Sequence, residues 1–203
     1  MPVIESLLDT DLYKLTMMQA VLHQHPAAEA VYRFRCRTPG VDLSRHIDEI
    51  SAEIDALCTL RFTREELDWL RGLRFMKPDF VDFLGLFRLD RKYLRLRASS
   101  AEQGGIELEA SGPWLHTILF EVPLLAIVSE VHMRHAAGAD VRGEGLRRLK
   151  DKAGRLRDAV GYEDCRITDF GTRRRHSREW HGEVVAMLAE ELGPKFAGTS
   201  NAD

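Results

Sequence analysis

The run Cys165-Arg-Ile-Thr-Asp-Phe-Gly-Thr-Arg-Arg-Arg-His-Ser177 decides how this chain is read. Its first half is short and apolar enough for a buried strand, and Gly171 ends it. Ser177 to Leu192 then repeats apolar residues every four positions (Trp180, Val184, Leu188, Leu192), which predicts a helix. Gly193-Pro194 stops that helix, and Lys195-Phe-Ala197 predicts a second strand entering Gly198-Thr-Ser-Asn201. Strand, helix, strand is a parallel crossover unit. In such units ligands gather where strands end. Gly171 lets backbone approach a ligand, the following helix start favours anions, and Arg173, Arg174 and Arg175 supply fork-shaped donors. A basic loop pairing with Glu179 and Asp164 is the competing reading.

Outward from this unit the pattern is mixed helix and strand. Asp9, Thr10 and Asp11 precede Leu12, Leu15, Met18 and Leu22 at helical spacing. Residues 30–37 alternate, with Tyr32, Phe34 and Cys36 on one face and Arg33, Arg35 and Arg37 on the other. Helices are predicted from Ser44 to about Leu57, from a capping box at Thr63-Arg-Glu-Glu66, and from Pro78. Residues 92–98 and 106–110 predict a hairpin through Gly104-Gly105, with Arg95 and Arg97 facing Glu107 and Glu109. Arg33, Arg35 and Arg37 show no such partners, so that face is either solvated or an anion contact. A long apolar helical region follows Leu115, then a Gly-rich link around 138–145 and a basic helix at about 144–160. The fold class is α/β, with a domain of residues 1–111 and a second of residues 112–203 divided at Gly112-Pro113.

The chain has 203 residues, 44% hydrophobic and 30% charged, with a net charge of −3. That balance excludes a basic nucleic-acid binder and a disordered acidic tail. Three cysteines without a C-x-x-C pair argue against a disulfide framework. No leader is visible, and the apolar stretch from Gly112 to Val131, broken by Glu121, Pro123 and Glu130, falls short of a membrane span. A cytoplasmic protein without a membrane or nucleic-acid partner is expected. No metal site is expected either: His132 and His135 beside Glu130 match no ligand motif, and His176 and His181 share no helical face.

Taken together, Ser6-Leu-Leu-Asp-Thr-Asp-Leu-Tyr-Lys-Leu15, Phe34-Arg-Cys-Arg37, Gly112-Pro-Trp114, Glu121-Val-Pro-Leu-Leu-Ala-Ile127, Asp169-Phe-Gly-Thr-Arg-Arg-Arg175 and Gly198-Thr-Ser-Asn201 resemble the nicotinate phosphoribosyltransferase family, in the family's order. The resemblance implies formation of nicotinate mononucleotide and pyrophosphate from nicotinate and phosphoribosyl pyrophosphate, within NAD biosynthesis. ATP hydrolysis, with Mg2+, would be coupled through a phosphohistidine. It implies an α+β domain followed by an irregular α/β barrel, and a homodimer with shared sites. By the same resemblance Phe170 stacks on the pyridine ring, and Tyr13 of a second chain stacks on its other face. Arg173 lies at the nicotinate carboxylate or the nascent phosphate, Thr172 is a further substrate-binding residue, and Arg37 approaches phosphate from the neighbouring chain. Asp11 holds the Tyr13 segment, and Thr199, Ser200 and Asn201 line the floor. The chain matches about the first half of the family's length. From Gly112 onward it holds about three strand–helix units, against the eight of a closed barrel. The phosphohistidine motif is expected beyond residue 203, so the chain reads as truncated, with little or no activity alone, an open barrel edge and exposed apolar helix faces. A related enzyme for nicotinamide or quinolinate, or a non-catalytic half that pairs with another chain, are the alternatives.

Overall fold

A computed structural model describes residues 1–136 and 141–203. The elements run in the order α1 (Leu12–Gln24), β1 (Glu29–Arg33), α2 (Ile47–Thr59), α3 (Arg64–Gly72), α4 (Pro78–Leu86), β2 (Leu94–Ala98), β3 (Ile106–Pro113), α5 (Trp114–Thr117), α6 (Glu121–Ala136), α7 (Val141–Arg157), β4 (Ile167–Asp169), α8 (Arg178–Leu192) and β5 (Phe196–Thr199). The expected Gly-rich link falls partly on residues 137–140, outside the described ones. Its remainder belongs to α7, which begins and ends about three residues earlier than its sequence pattern suggests.

Two small sheets form. One is antiparallel in the order β1-β3-β2; the other pairs β4 with β5 in parallel, as the crossover reading requires. No closed barrel occurs among the described residues. The predicted hairpin is present, with Arg95 opposite Glu109 and Arg97 opposite Glu107. Its ion pairs differ from the cross-strand expectation. Glu107 takes Arg97 and, at 3.7 Å, Arg95, because Arg33 Nε on the other side of β3 claims Glu109 at 2.6 Å. Arg33 therefore has a partner that the sequence pattern did not show.

β1 is also shorter than the alternating run. Phe34 N still donates to Leu108 O at 2.9 Å, but the chain then turns away, and Leu43 N bonds to Gly104 O at 2.7 Å. Gly104 permits this crossing: its φ is +94°, and a Cβ there would lie 2.5 Å from the Cys36 Cβ.

The core joins both halves of the sequence. Ile50, Ile54 and Leu57 of α2 and Phe80, Val81 and Leu84 of α4 lie buried in one cluster with Ile118, Phe120, Ile127 and Val131. The capping box forms as read: Glu66 N donates to Thr63 Oγ1 at 3.2 Å, and Thr63 N to Glu66 Oε2 at 2.7 Å. The helical run Trp114–Ala136 corrects one expectation. Its 23 residues are long and apolar enough to cross a bilayer, since none of the interrupting charges breaks the helix. However, 72% of its most apolar window is buried inside the protein, as a core helix would be.

The Gly112-Pro-Trp114 motif has a packing cause. Gly112 has φ +141°, and a Cβ there would sit 2.7 Å from the Tyr93 ring. Trp114 Nε1 donates to Tyr32 Oη at 2.8 Å beside it. Gly112→Ala should destabilise the chain by about 1–3 kcal/mol through overpacking, seen as a lowered urea midpoint. An unchanged midpoint would show that Tyr93 moves aside freely.

Candidate functional site

Three segments converge: the start of α1, the turn after β4, and the chain leaving β5. Leu12 N donates to Ser200 O at 2.8 Å, Ala202 N to Thr10 O at 2.9 Å, and Ser200 N to Asp169 O at 2.9 Å. Asp11 and Asn201 form an antiparallel bridge. Asp11 occupies the N-cap of α1 yet makes no side-chain cap bond. Its Oδ1 instead accepts from Ser200 Oγ at 2.5 Å. The cap-type residues before α1 are thus spent on a tertiary junction.

The three arginines of the turn have different fates. Arg175 is buried. It donates from Nη1 to Asp9 Oδ1 at 2.7 Å and from Nη2 to Asp9 Oδ2 at 2.8 Å. Its Nε reaches Glu130 Oε1 at 2.5 Å, and Nη2 also reaches Val3 O at 2.9 Å. This guanidinium is fully committed to the protein, so it is a structural group and not an anion donor. Glu179 and Asp164, the partners of the basic-loop reading, are not the ones used. Burial pushes the Glu130 carboxyl above its ordinary pKa, against the opposing pull of Arg175.

Arg173 is held loosely. Its Nε lies 3.7 Å from Asp11 Oδ2 and its Nη1 3.5 Å from Glu121 Oε1, both long for a hydrogen bond. Glu121 also takes the ammonium of Lys14. This Lys14–Glu121 pair was not read from the sequence; a lone carboxylate opening an apolar helix was its signal. Arg174 is exposed.

Phe170 exposes 54% of its surface. With Leu125, Arg173 and Arg174 it lines a cavity of about 250 Å³. Arg37, also exposed, lines an adjoining cleft of about 780 Å³, shared with Arg173, Arg174, Tyr32 and Glu121. Arg37 and Arg173, distant in sequence, thus face one space within a single chain. Tyr13, 36% exposed, sits in the first turn of α1 with Lys14 Nζ 5.3 Å from its ring centre. It lines neither cavity, and among the described residues the rings of Tyr13 and Phe170 are not stacked.

Thr172 is fully buried, and its hydroxyl has no hydrogen-bond partner, nor does Asp11 Oδ2. Thr199 Oγ1 donates to Asp169 Oδ2 at 2.9 Å, and Asn201 Nδ2 to Asp9 Oδ1 at 2.9 Å. These side chains bond to protein carboxylates and fix the two strand ends. His181, which sequence spacing left without a role, is buried and meets Asp169 Oδ2 at 2.6 Å. This node also explains Gly171, whose Cβ would lie 2.9 Å from Asp169 Oδ1 and 3.0 Å from His181 Nε2. Burial opposes ionisation of Asp169, yet bonds from His181, the Gly171 backbone and Thr199 outweigh it and hold its pKa below the ordinary aspartate value. Cys58 offers no nucleophile, because burial pushes its thiol up to about 11.

What the geometry offers is an exposed aromatic face, a guanidinium without close partners beside it, and further arginines facing the adjoining cleft. Such a site suits a planar, anionic ligand.

A family model described as the nicotinate phosphoribosyltransferase (NAPRTase) N-terminal domain matches residues 8–129, and one described as the nicotinate phosphoribosyltransferase (NAPRTase) family matches residues 165–203. A Xylella fastidiosa (strain 9a5c) protein named nicotinate phosphoribosyltransferase is 65% identical over 199 residues, covering 98% of this chain and 50% of its own length. One of the same name from Xanthomonas campestris pv. campestris (strain B100) is 63% identical, covering 98% and 49%. The crystal structure of nicotinate phosphoribosyltransferase from Vibrio cholerae superposes with a TM-score of 0.88 at 33% identity, covering 98% of this chain and 48% of that one. The enzyme of the same name from Porphyromonas gingivalis gives 0.84 at 30% identity, covering 98% and 50%. The chain spans about half the length of the curated relatives it matches.

Two outcomes test this scaffold. Arg175→Met strands the Asp9 and Glu130 carboxylates in the interior and should cost about 3–5 kcal/mol, read from urea unfolding at neutral pH. Because the folded pKa of Asp169 is depressed, its stabilisation is complete above the unfolded aspartate value of about 3.9 and is lost as pH falls through the folded one. The stability gap between the parent chain and Asp169→Asn should therefore narrow below about pH 4. A gap that stays constant from pH 6 to pH 3 would contradict the assignment.

Proposed function

The chain belongs to the nicotinate phosphoribosyltransferase family, and from that premise we propose that it binds nicotinate at Phe170 and Arg173 and takes part in joining it to phosphoribosyl pyrophosphate. The observation that carries this reading is the small cavity lined by both residues. The Phe170 ring offers a face for the pyridine, and Arg173 can turn its donors from the distant Asp11 and Glu121 to the carboxylate. Thr172, buried directly beside Arg173 in sequence, is a further candidate of the same substrate site. Arg174, facing the larger cleft, supplies positive charge for the polyphosphate of the second substrate, and Arg37 approaches that phosphate from the neighbouring chain of a dimer.

Tyr13 completes the pyridine sandwich from a second copy, in a homodimer whose shared sites are part of the proposal. Its exposed ring, outside both cavities of its own chain, supports that reading. Asp11, Ser200, Asn201 and Thr199 act by holding the segments in register. The division at residues 111 and 112, a cytoplasmic location and a place in NAD biosynthesis belong to the same proposal. An acid is preferred over nicotinamide because the cationic group beside the ring is what an amide would leave unpaired.

ATP and Mg2+ follow from the resemblance, but the residues around Arg173 do not fit a magnesium site. The nearest carboxylates, Asp11 and Glu121, already face Arg173, and Glu121 also holds Lys14. Mg2+ needs anionic oxygens free to coordinate it.

The test is nicotinate binding by calorimetry, with phosphoribosyl pyrophosphate present and absent. Losing one charge-assisted hydrogen bond costs about 1.5–3 kcal/mol, so Arg173→Ala should weaken nicotinate by roughly 10- to 100-fold. Phe170→Ala should weaken nicotinate and nicotinamide alike. Equal affinity of the parent chain for the two pyridines would sink the preference for an acid, and undiminished binding in both variants would sink the site.

A further inference from the structure

A second cluster lies outside this site, where the first turn of α2 meets the last turn of α6. His46 is the N-cap of α2, and Glu49 lies in the first turn of that helix. His135 comes across from α6, so that one ligand atom from each lies within 4.8 Å of the others. His135 Nε2 meets Glu49 Oε2 at 2.7 Å. The rings of His46 and His135 are stacked, with centroids 4.0 Å apart and planes 8° from parallel. The sequence had grouped His135 with His132 and Glu130; the fold instead sends Glu130 to Arg175 and turns His135 toward α2.

We infer that His46, Glu49 and His135 bind a borderline divalent cation of the zinc kind and fasten α6 to the start of α2. Two imidazoles and one carboxylate are a donor set that such cations take, with water as the fourth ligand. The cation replaces the proton between His135 Nε2 and Glu49 Oε2, and that proton leaves to solvent. Bonds of about 2.0–2.2 Å to one tetrahedral cation put ligand atoms about 3.4 Å apart. The 2.7 Å contact between His135 and Glu49 therefore opens on binding, and one ring tilts out of the stack to aim its lone pair. The side chains are free to do so: those of His135 and Glu49 are 46% and 33% exposed.

The surroundings suit a carboxylate ligand. Arg134 Nη1 holds the other oxygen, Glu49 Oε1, at 2.9 Å and also reaches Glu53 Oε1 at 3.0 Å. Arg134 thus orients Glu49 from outside the coordination shell, while Glu53 offsets its charge. The site is separate from the proposed nicotinate cavity and shares no residue with it.

Titration of the tag-free chain with zinc chloride alone should show one equivalent bound and a raised melting temperature. His46→Ala and His135→Ala should each weaken binding by 10-fold or more and abolish the temperature rise, whereas His25→Ala should change neither. Cobalt should give the visible spectrum of nitrogen and oxygen ligation. Absence of binding, a cobalt–thiolate band from the free cysteines, or an affinity unmoved by both histidine substitutions would overturn the assignment. Melting of the metal-free variants checks that each still folds.

Discussion

One buried guanidinium ties the molecule together. Arg175 reaches Asp9 with two nitrogens, Glu130 with a third, and the Val3 carbonyl besides. These partners come from the segment before α1 and from the middle of the core helix, and Arg175 itself comes from the turn after β4. A charge so far from water is tolerable only when its donors are met. The geometry of the turn follows: with Arg175 drawn inward, Arg174 is left exposed and Arg173 and Phe170 border the cavity.

The second constraint is the Asp169 node. One carboxylate accepts from Thr199 and His181, while the Asp169 backbone carbonyl accepts from Ser200. The two parallel strand ends are thereby fixed to each other and to the start of α8. Polar residues that look like ligand contacts in the sequence are used here as joinery. The Phe170 face and the Arg173 guanidinium border the cavity without close partners of their own.

Local order was readable from the residues themselves. The capping box at Thr63, the hairpin through Gly104-Gly105 and the parallel β4–β5 pair each depend on neighbours in sequence or on simple periodicity. What periodicity could not show was distant pairing. Arg33 finds Glu109 through the order of strands in the sheet, and no pattern within residues 30–37 contains that order. Asp9 and Asp11 looked like helix caps because caps and tertiary acceptors use the same side chains. The pairing of His181 was not legible because its partner lies on the preceding strand, twelve residues away. In the candidate site, the DFGTRRR stretch was legible as one unit, but the opposite fates of Arg173 and Arg175 were not.

The junction between the α1 start and residues 199–202 has a temporal side. Asp11 and Ser200 are separated by 189 positions. On a ribosome adding about 5–20 residues per second, roughly ten seconds or more separate the emergence of one partner from that of the other. During that interval the Asp11 carboxylate, Thr10 O and Leu12 N stand without the partners that residues 200–202 later supply. A chaperone that shields the nascent amino-terminal segment would act in that window, before the pocket's own architecture can exist.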